Sequence, residues 1–183
     1  MTIAAEWPRP ADILEYYRRS LEALDALKKA LRAEVAPQSR FYGMTPQEAE
    51  QAIRELAEEL DREVTLLLTA SFEATFQVDF HDRVGRRKKD PVSRRLRKLA
   101  RTPRPKRARW VTVEEILDVW QKETGKAQVI GSLKQLVLYR HWLAHGRYWV
   151  QKSGLTDPDP FDAWSRGKAV FDALPGFRPL PAP

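Results

Sequence analysis

The sequence predicts an all-α protein, folded as an up-and-down bundle of four to five helices. Three observations favour this fold class. Apolar residues recur at three- and four-residue spacing over long stretches of the chain. A threonine followed three residues later by a glutamate, which is typical of a helix start, precedes two of these stretches. No alternating apolar–polar run bounded by turn residues, the pattern of a strand, is present in the sequence.

The first helix is predicted from about Pro10 to Val35. Pro10 suits the first turn of a helix, because its missing N–H needs no partner there. Five residues at helical spacing form one apolar stripe: Leu14, Tyr17, Leu21, Leu24 and Leu31. Pro37 and Gly43 then indicate a connecting loop over residues 36–44.

The second helix is predicted to be the longest and to lie at the centre of the bundle. Thr45 and Glu48 can form a capping box at its start. One apolar stripe follows at helical spacing: Ala49, Ile53, Leu56, Leu60, Leu67, Ser71, Ala74 and Val78. A second apolar line consists of Phe72, Phe76 and Phe80. Gly85 and the basic run that follows it, residues 86–91, are expected to end the helix.

Three further elements complete the predicted body. Residues 93–101 form a short basic helix, and residues 102–109 form an extended segment. Thr112 and Glu115 make a second capping box, and Gly125 is expected to end the helix that it opens. The inner face of that helix consists of Ile116, Leu117 and Trp120. The last long helix is predicted from Ser132 to Tyr148.

The chain is expected to form one domain with a tail. A length of 183 residues and a mass of 21.2 kDa suit a single domain. This domain is predicted over residues 1–155, with a basic insert at residues 83–109. Residues 156–183 form a proline-rich extension that contains one short helix, from Pro160 to Ala173. Three aromatic residues are expected to dock this helix onto the body: Phe161, Trp164 and Phe171.

The composition excludes several function classes. The chain has no cysteine, which excludes disulfides, cysteine zinc sites, iron–sulfur clusters and thiol nucleophiles. Only three histidines are present, so we expect no histidine-rich metal site. No metal and no other cofactor is predicted. No apolar run is long enough for a membrane span, and the first ten residues lack the pattern of a secretory signal. We therefore expect a cytoplasmic protein without a membrane partner.

Positive charge is concentrated in one segment, from Arg83 to Arg109. It contains 14 of the 32 basic residues and one of the 25 acidic residues, Asp90, so its net charge is +13. The whole chain has a net charge of +7, so the remaining residues sum to −6. An acidic body with one strongly basic segment favours a polyanionic partner, with nucleic acid first among the possibilities.

The last long helix contains an unusual polar strip. Arg140, His141 and His145 lie within one and a half turns of one another. At 100° per residue they share an arc of about 140° with Lys134 and Tyr148. The opposite side of the helix is apolar: Leu133, Leu136, Val137, Leu143 and Ala144.

Those residue types fit the cleavage of RNA without a metal ion. A base must help the 2′-hydroxyl to attack phosphorus, and an acid must protonate the departing 5′-oxygen. Histidine can serve in either role near neutral pH. A cation must stabilise the charge that develops on the phosphoryl oxygens, and arginine offers a fork of donors that fits phosphate.

The strip resembles the Arg-x4–6-His signature of HEPN domains (higher eukaryotes and prokaryotes nucleotide-binding). Here Arg140 is followed after four residues by His145 and Gly146, and the residue after the arginine is polar, His141. Residues 70–74 and 79–84 of the second helix are also similar to the central helix of bacterial HEPN-like proteins. The resemblance covers roughly residues 45–150.

The resemblance implies a helical bundle that pairs as a homodimer, with the arginine and histidine of both protomers facing one cleft. Many members are metal-independent endoribonucleases of toxin–antitoxin or phage-defence systems. By this resemblance Arg140 would stabilise the scissile phosphate, His145 would be the acid or base, and His141 would assist. Glu73 would support them from the second helix, with Tyr148 and Lys134 beside them.

The predicted function is therefore metal-free RNA cleavage that leaves a 2′,3′-cyclic phosphate. The basic segment would hold the RNA backbone through eight side chains: Arg86, Arg87, Lys88, Lys89, Arg94, Arg95, Arg97 and Lys98. The predicted partners are RNA, a second copy of the chain, and an antitoxin or another defence-system protein.

Other interpretations remain open. The protein could be a catalytically silent helical module that binds nucleic acid or nucleotide, or that scaffolds a complex. A binder of double-stranded DNA fits less well, because no helix-turn-helix spacing is present. Arg140 could pair structurally with Glu73 or Asp79, and His145 could only cap its helix. His81 and Asp82 diverge by 100° on a helix, which favours a solvated face. The basic segment could be a solvated loop or could dock to an acidic protein or a ribosome.

Overall fold

The computed structural model describes residues 8–33, 41–103, 110–145 and 157–177 and forms an all-α bundle there. These residues contain six helices: α1 (Pro10–Arg32), α2 (Pro46–Gly85), α3 (Pro91–Arg101), α4 (Val113–Thr124), α5 (Ala127–Ala144) and α6 (Pro160–Ala173). The predicted fold class is confirmed. The described residues hold more helices than the four to five predicted, because two short helices pack on the body as full members of it.

The predicted helix starts and stops are confirmed at three positions. The Thr45 backbone N–H donates to the Glu48 carboxylate at 2.7 Å, and both halves of this capping box are formed. Thr112 opens α4 with a second complete capping box. Gly125 ends α4 in the left-handed region, at φ +70°, which glycine adopts without steric cost.

α2 is the central helix, as predicted, and it contacts each of the other five helices described. α1 runs antiparallel to it. Tyr17, early in α1, donates its hydroxyl proton to Asp61 at 2.7 Å, and Arg32, at the end of α1, pairs with Glu50 at 2.6 Å. A small apolar cluster closes the far end of this hairpin: Phe41, Ala49 and Ile53.

The core face of α2 is the phenylalanine line rather than the longer stripe. Val64, Leu68, Phe72, Phe76 and Phe80 are buried. Five members of the predicted stripe are only partly buried: Leu56, Leu60, Leu67, Ala74 and Val78. Its other three members are buried: Ala49, Ile53 and Ser71. The difference arises because α6 covers the phenylalanine side, which a sequence pattern on α2 alone does not reveal.

α6 runs parallel to α2, as alternating helix directions require. The Thr65 hydroxyl donates to the Pro158 carbonyl at 3.2 Å, and Arg83 donates to the Gly176 carbonyl at 2.6 Å. Gly167 lies directly on the ring of Phe72, which is fully buried.

The three predicted aromatic contacts of α6 are all formed. Phe161 meets Tyr17 with ring centres 5.4 Å apart, Trp164 meets Phe72 at 6.4 Å, and Phe171 meets Phe72 at 5.4 Å. The extension therefore contributes to the main core, where Ala163 and Val170 are fully buried.

α4 and α5 form an antiparallel hairpin. Asp118 of α4 pairs with Lys134 near the start of α5, and Glu114 lies beside His141 near its end. α5 begins at Ala127, five residues before the predicted start at Ser132, and its described part ends at Ala144 instead of Tyr148. The early start carried no signal, because Lys126 precedes the helix without a side-chain cap. No helix in the described residues is both long and apolar enough to cross a membrane.

A buried arginine, Arg83, joins the C-terminal ends of α2 and α6 to the start of α3. It donates to both oxygens of Asp79, at 2.7 and 2.9 Å, and to the side chains of Asp90 and Ser93, each at 3.2 Å. Its guanidinium also lies 4.6 Å from the ring centre of Trp120. Arg83 is 3% exposed, so this first arginine of the basic segment belongs to the core and does not face solvent.

Candidate functional site

The predicted pair of Arg140 and Glu73 lies between α5 and α2. Arg140 Nε is 3.8 Å from Glu73 Oε1, which is too long for a hydrogen bond. Both atoms are buried, and neither has a hydrogen-bond partner among the described residues. Buried polar atoms without a hydrogen-bond partner are uncommon in folded proteins. Arg140 and Glu73 are therefore close enough for an ion pair, as one interpretation predicted, but they form no hydrogen bond.

The protonation of Glu73 sets the charge of this pair. Burial raises the pKa of Glu73 to about 7, with a further rise from Glu114 and an opposing effect of Arg140. Near neutral pH the carboxyl is therefore neutral in a large fraction of molecules. In that fraction the positive charge of Arg140 is not offset by Glu73, and it remains available to an anion.

His141 lies on the same side of α5 as Arg140, next to α4. Its Nδ1 is 3.9 Å from Glu114 Oε1, and both side chains are a little over one third exposed. Glu114 was not among the predicted site residues, since an acidic residue in a first helical turn is ordinary. The antiparallel α4–α5 hairpin is the signal that could have found it, because it brings the start of α4 to the end of α5.

His145 is exposed at the end of α5. It occupies the C-cap, and its backbone N–H donates to the carbonyl of His141 at 3.1 Å. Arg140, His141 and His145 therefore occupy the last turn and a half of one helix, at its accessible end.

Two other predicted members do not join this group. Lys134 lies about 9 Å along the axis from Arg140, and it donates to Asp118 at 2.5 Å and Gln121 at 2.9 Å. Its ammonium is thus engaged by α4. Tyr148 lies outside the described residues. The group that the structure brings together is Glu73, Glu114, Arg140 and His141, with His145 adjacent.

The predicted nucleic-acid-binding residues divide into two sets. Arg86 and Lys88 pair with Asp82, at 2.5 and 2.8 Å, and Arg97 donates to the carbonyl of Lys88 at 2.5 Å. A second set is exposed and makes no ion pair within the described residues: Arg87, Lys89, Arg94, Arg95 and Lys98. Only this second set presents its full charge to solvent.

α3 holds three of the exposed cations in fixed positions. Asp90 caps the helix by accepting from the backbone N–H of Ser93 at 2.9 Å. Val92 and Leu96 are buried in the core. The predicted solvated-loop interpretation therefore does not apply to residues 91–101, while residues 104–109 lie outside the described part of the chain.

His81 and Asp82, the other pair that the sequence analysis considered, do not form a site. His81 is exposed, and the centre of its ring lies 5.1 Å from that of Phe80. Asp82 forms ion pairs with Arg86 and Lys88. No group of three or more histidine and acidic side chains in the described residues is arranged to hold a metal ion.

Comparison with known proteins finds no matching protein-family model, no matching curated protein and no matching solved structure. The HEPN resemblance therefore stands on the residues of the motif alone.

Proposed function

We propose that this protein is a metal-independent endoribonuclease of the HEPN type. The single observation that carries the proposal is the grouping of Arg140, His141 and His145 at the accessible end of α5, backed by the buried carboxyl of Glu73. This arrangement provides a cation and two imidazoles within six residues at one helix end, and these are the groups that RNA cleavage through the 2′-hydroxyl requires.

Each residue has a distinct part in the proposed reaction. Arg140, whose side chain is 32% exposed, binds the non-bridging oxygens of the scissile phosphate. His145 transfers a proton to or from the reacting oxygens, and His141 assists it or orients the RNA. Glu73 acts through Arg140: its proton keeps the arginine free to bind phosphate. The products are a 2′,3′-cyclic phosphate and a 5′-hydroxyl.

A second candidate is a nucleic-acid-binding module without catalytic activity. The observation that favours it is the exposed basic surface of α3, which needs neither histidine to hold a polyanion. A homodimer, an antitoxin partner and a role in phage defence belong to the first proposal and depend on the resemblance.

A cleavage assay in excess EDTA tests the choice between them. A mixed-sequence RNA is incubated with the wild type, with Arg140→Ala and with His145→Ala, and the product ends are identified. We expect the wild type to release 2′,3′-cyclic phosphate ends, and each variant to lose at least a hundredfold in rate.

Gln135→Ala is the matched control, because Gln135 is exposed on the same helix and lies outside the group. It should cut like the wild type. Wild-type protein that binds RNA but leaves it intact at every concentration would remove the nuclease proposal and favour the binding module. Equal activity in His145→Ala and the wild type would remove the assigned role of His145.

A further inference from the structure

We infer that α3 and Trp110 together form a binding site for single-stranded RNA, in which α3 holds consecutive phosphates and Trp110 stacks on a base. The choice of RNA rests on the proposed function. The site itself lies outside α5 and takes no part in the chemistry.

The phosphate-binding part is a stripe along the exposed side of α3. Arg94, Lys98 and Arg101 are exposed and lie within an arc of about 60° at 100° per residue. Arg94 and Arg101 are about 10.5 Å apart along the axis. A stacked strand carries a phosphate about every 3.4 Å of its axis, so the stripe spans about three phosphate spacings, or about four phosphates.

Cations outnumber acidic side chains around the stripe. A shallow depression about the stripe is lined by α3 and the residue after it: Arg94, Arg97, Lys98, Arg101 and Thr102. The groove on the other side, towards α4, is lined in part by Glu115 and Asp118. That groove also has Lys98 and Lys122 in its lining, and Glu123 lies beside Arg94 and Lys98. The depression about the stripe has no acidic residue in its lining, so it draws a polyanion more strongly, with Arg95 at its border.

The stripe is held rigidly before any ligand binds. Leu96 is fully buried beneath it. Arg83 and Asp90 fix the start of α3, and Arg97 ties its middle to the preceding turn through the carbonyl of Lys88. The side chains thus lose less freedom on binding than they would on a loop.

Trp110 supplies an aromatic surface at the end of the bundle where α3 ends. It is 71% exposed and lies just before the start of α4. Thr102 and Glu115 line a common groove, so the start of α4 lies at the same end of the bundle as the end of α3. The Val111 carbonyl, which accepts from Gln77 at 3.0 Å, anchors the segment that carries Trp110.

This combination fits a single strand better than a duplex. Single strands are held by a basic track and by aromatic side chains that stack on exposed bases. A duplex offers no free base face, and it presents the phosphates of two strands across a groove. One short stripe, with one tryptophan at the end of the bundle where α3 ends, matches the first of these arrangements.

The test measures binding of a fluorescein-labelled 2′-O-methyl oligouridine of twenty nucleotides by anisotropy, in EDTA at 50–200 mM KCl. This probe cannot be cut through its 2′-oxygen. The α3 variant carries Arg94→Gln, Arg95→Gln, Lys98→Gln and Arg101→Gln. A matched variant removes an equal number of positive charges from another surface, on α1 and the first half of α2. It carries four substitutions of exposed residues: Arg18→Gln, Arg19→Gln, Lys29→Gln and Arg54→Gln. Unchanged melting curves verify that both variants fold.

Each phosphate contact contributes about 0.7 to the salt slope of a single strand. Four contacts contribute about 2.8, so between 50 and 200 mM salt the wild type should lose about fiftyfold more affinity than the α3 variant. The matched variant should keep the wild-type slope. Trp110→Ala should raise the Kd by about tenfold at an unchanged slope, and a blunt RNA duplex should compete weakly.

Equal slopes in the two four-residue variants would overturn the inference, as would an unchanged Kd in Trp110→Ala or stronger competition by the duplex. The test distinguishes failure of this binding site from failure of the proposed nuclease function. A protein that binds as expected but cuts no RNA keeps this site and loses the nuclease proposal. One that cuts RNA equally well after the α3 substitutions, with unchanged binding, keeps the nuclease proposal and loses this site.

Discussion

Replacement of Glu73 by glutamine should stabilise the protein at alkaline pH. Burial raises the pKa of Glu73 from its ordinary value of 4.5 to about 7. The folded protein therefore binds this proton more tightly than the unfolded chain does. Its contribution to stability is fully present below about pH 4.5 and is lost as the pH rises through about 7.

The magnitude follows from the size of the shift. One pKa unit corresponds to about 1.4 kcal/mol, so the shift is equivalent to about 3 kcal/mol. The side chain is only 17% exposed, so solvent screens little of this effect. Glutamine resembles the protonated form, so Glu73→Gln should match the wild type at pH 4.5 and exceed it by about 3 kcal/mol at pH 8.5.

Urea denaturation at pH 4.5, 6, 7 and 8.5 measures this difference. For a chain of this size the gain at pH 8.5 corresponds to a rise in Tm of about 6–12 °C. Glu63→Gln is the matched control, because Glu63 is an exposed carboxylate on the same helix. It should leave the pH dependence unchanged. A Glu73→Gln protein no more stable than the wild type at pH 8.5 would refute the reasoning and assign Glu73 a stabilising ion pair with Arg140.

Four other substitutions test the packing and the start of α4. Gly167→Ala would place its Cβ 2.1 Å from the Phe72 ring and should destabilise the fold by about 1–3 kcal/mol in urea denaturation. Gly131→Ala, in open space on α5, should instead stabilise by up to about 1 kcal/mol, and the opposite ranking would contradict the packing of α6. Arg83→Ala leaves the buried carboxylate of Asp79 without a counter-charge and should lower the free energy of unfolding by about 3–5 kcal/mol. A loss below about 1 kcal/mol would show that Arg83 does not hold α2, α3 and α6 together. Thr112→Ala removes a helix cap and should lower the free energy of unfolding by about 1 kcal/mol, an effect absent if α4 begins elsewhere.

Local chemistry explains what the sequence could predict of the fold. A capping box at Thr45 or Thr112 and a left-handed glycine at Gly125 depend on a few neighbouring residues, so their outcome follows from the sequence itself. The central position of α2 followed from its length and its two apolar lines. The start of α5 could not be predicted, because a helix that begins at Lys126 without a side-chain cap leaves no pattern.

Long-range contacts explain what was missed. Arg83 belongs to a run of cations that resembles a solvated surface, and only its spacing from Asp79 within a phenylalanine-rich turn hinted at burial. The motif predicted Arg140 and His141 as candidate residues, and the resemblance of the second helix added Glu73. It could not identify Glu114, whose place beside His141 depends on how α4 packs on α5.

The alignment of α6 with α2 bears on the order of folding. Its contacts join residues 93 positions apart, such as Thr65 with Pro158 and Arg83 with Gly176. The α4–α5 hairpin, in contrast, closes over two residues and needs little loop entropy to form. Until α6 docks, the ring of Phe72 faces water. We therefore expect refolding to pass through a helical intermediate that exposes this phenylalanine line and associates at high protein concentration.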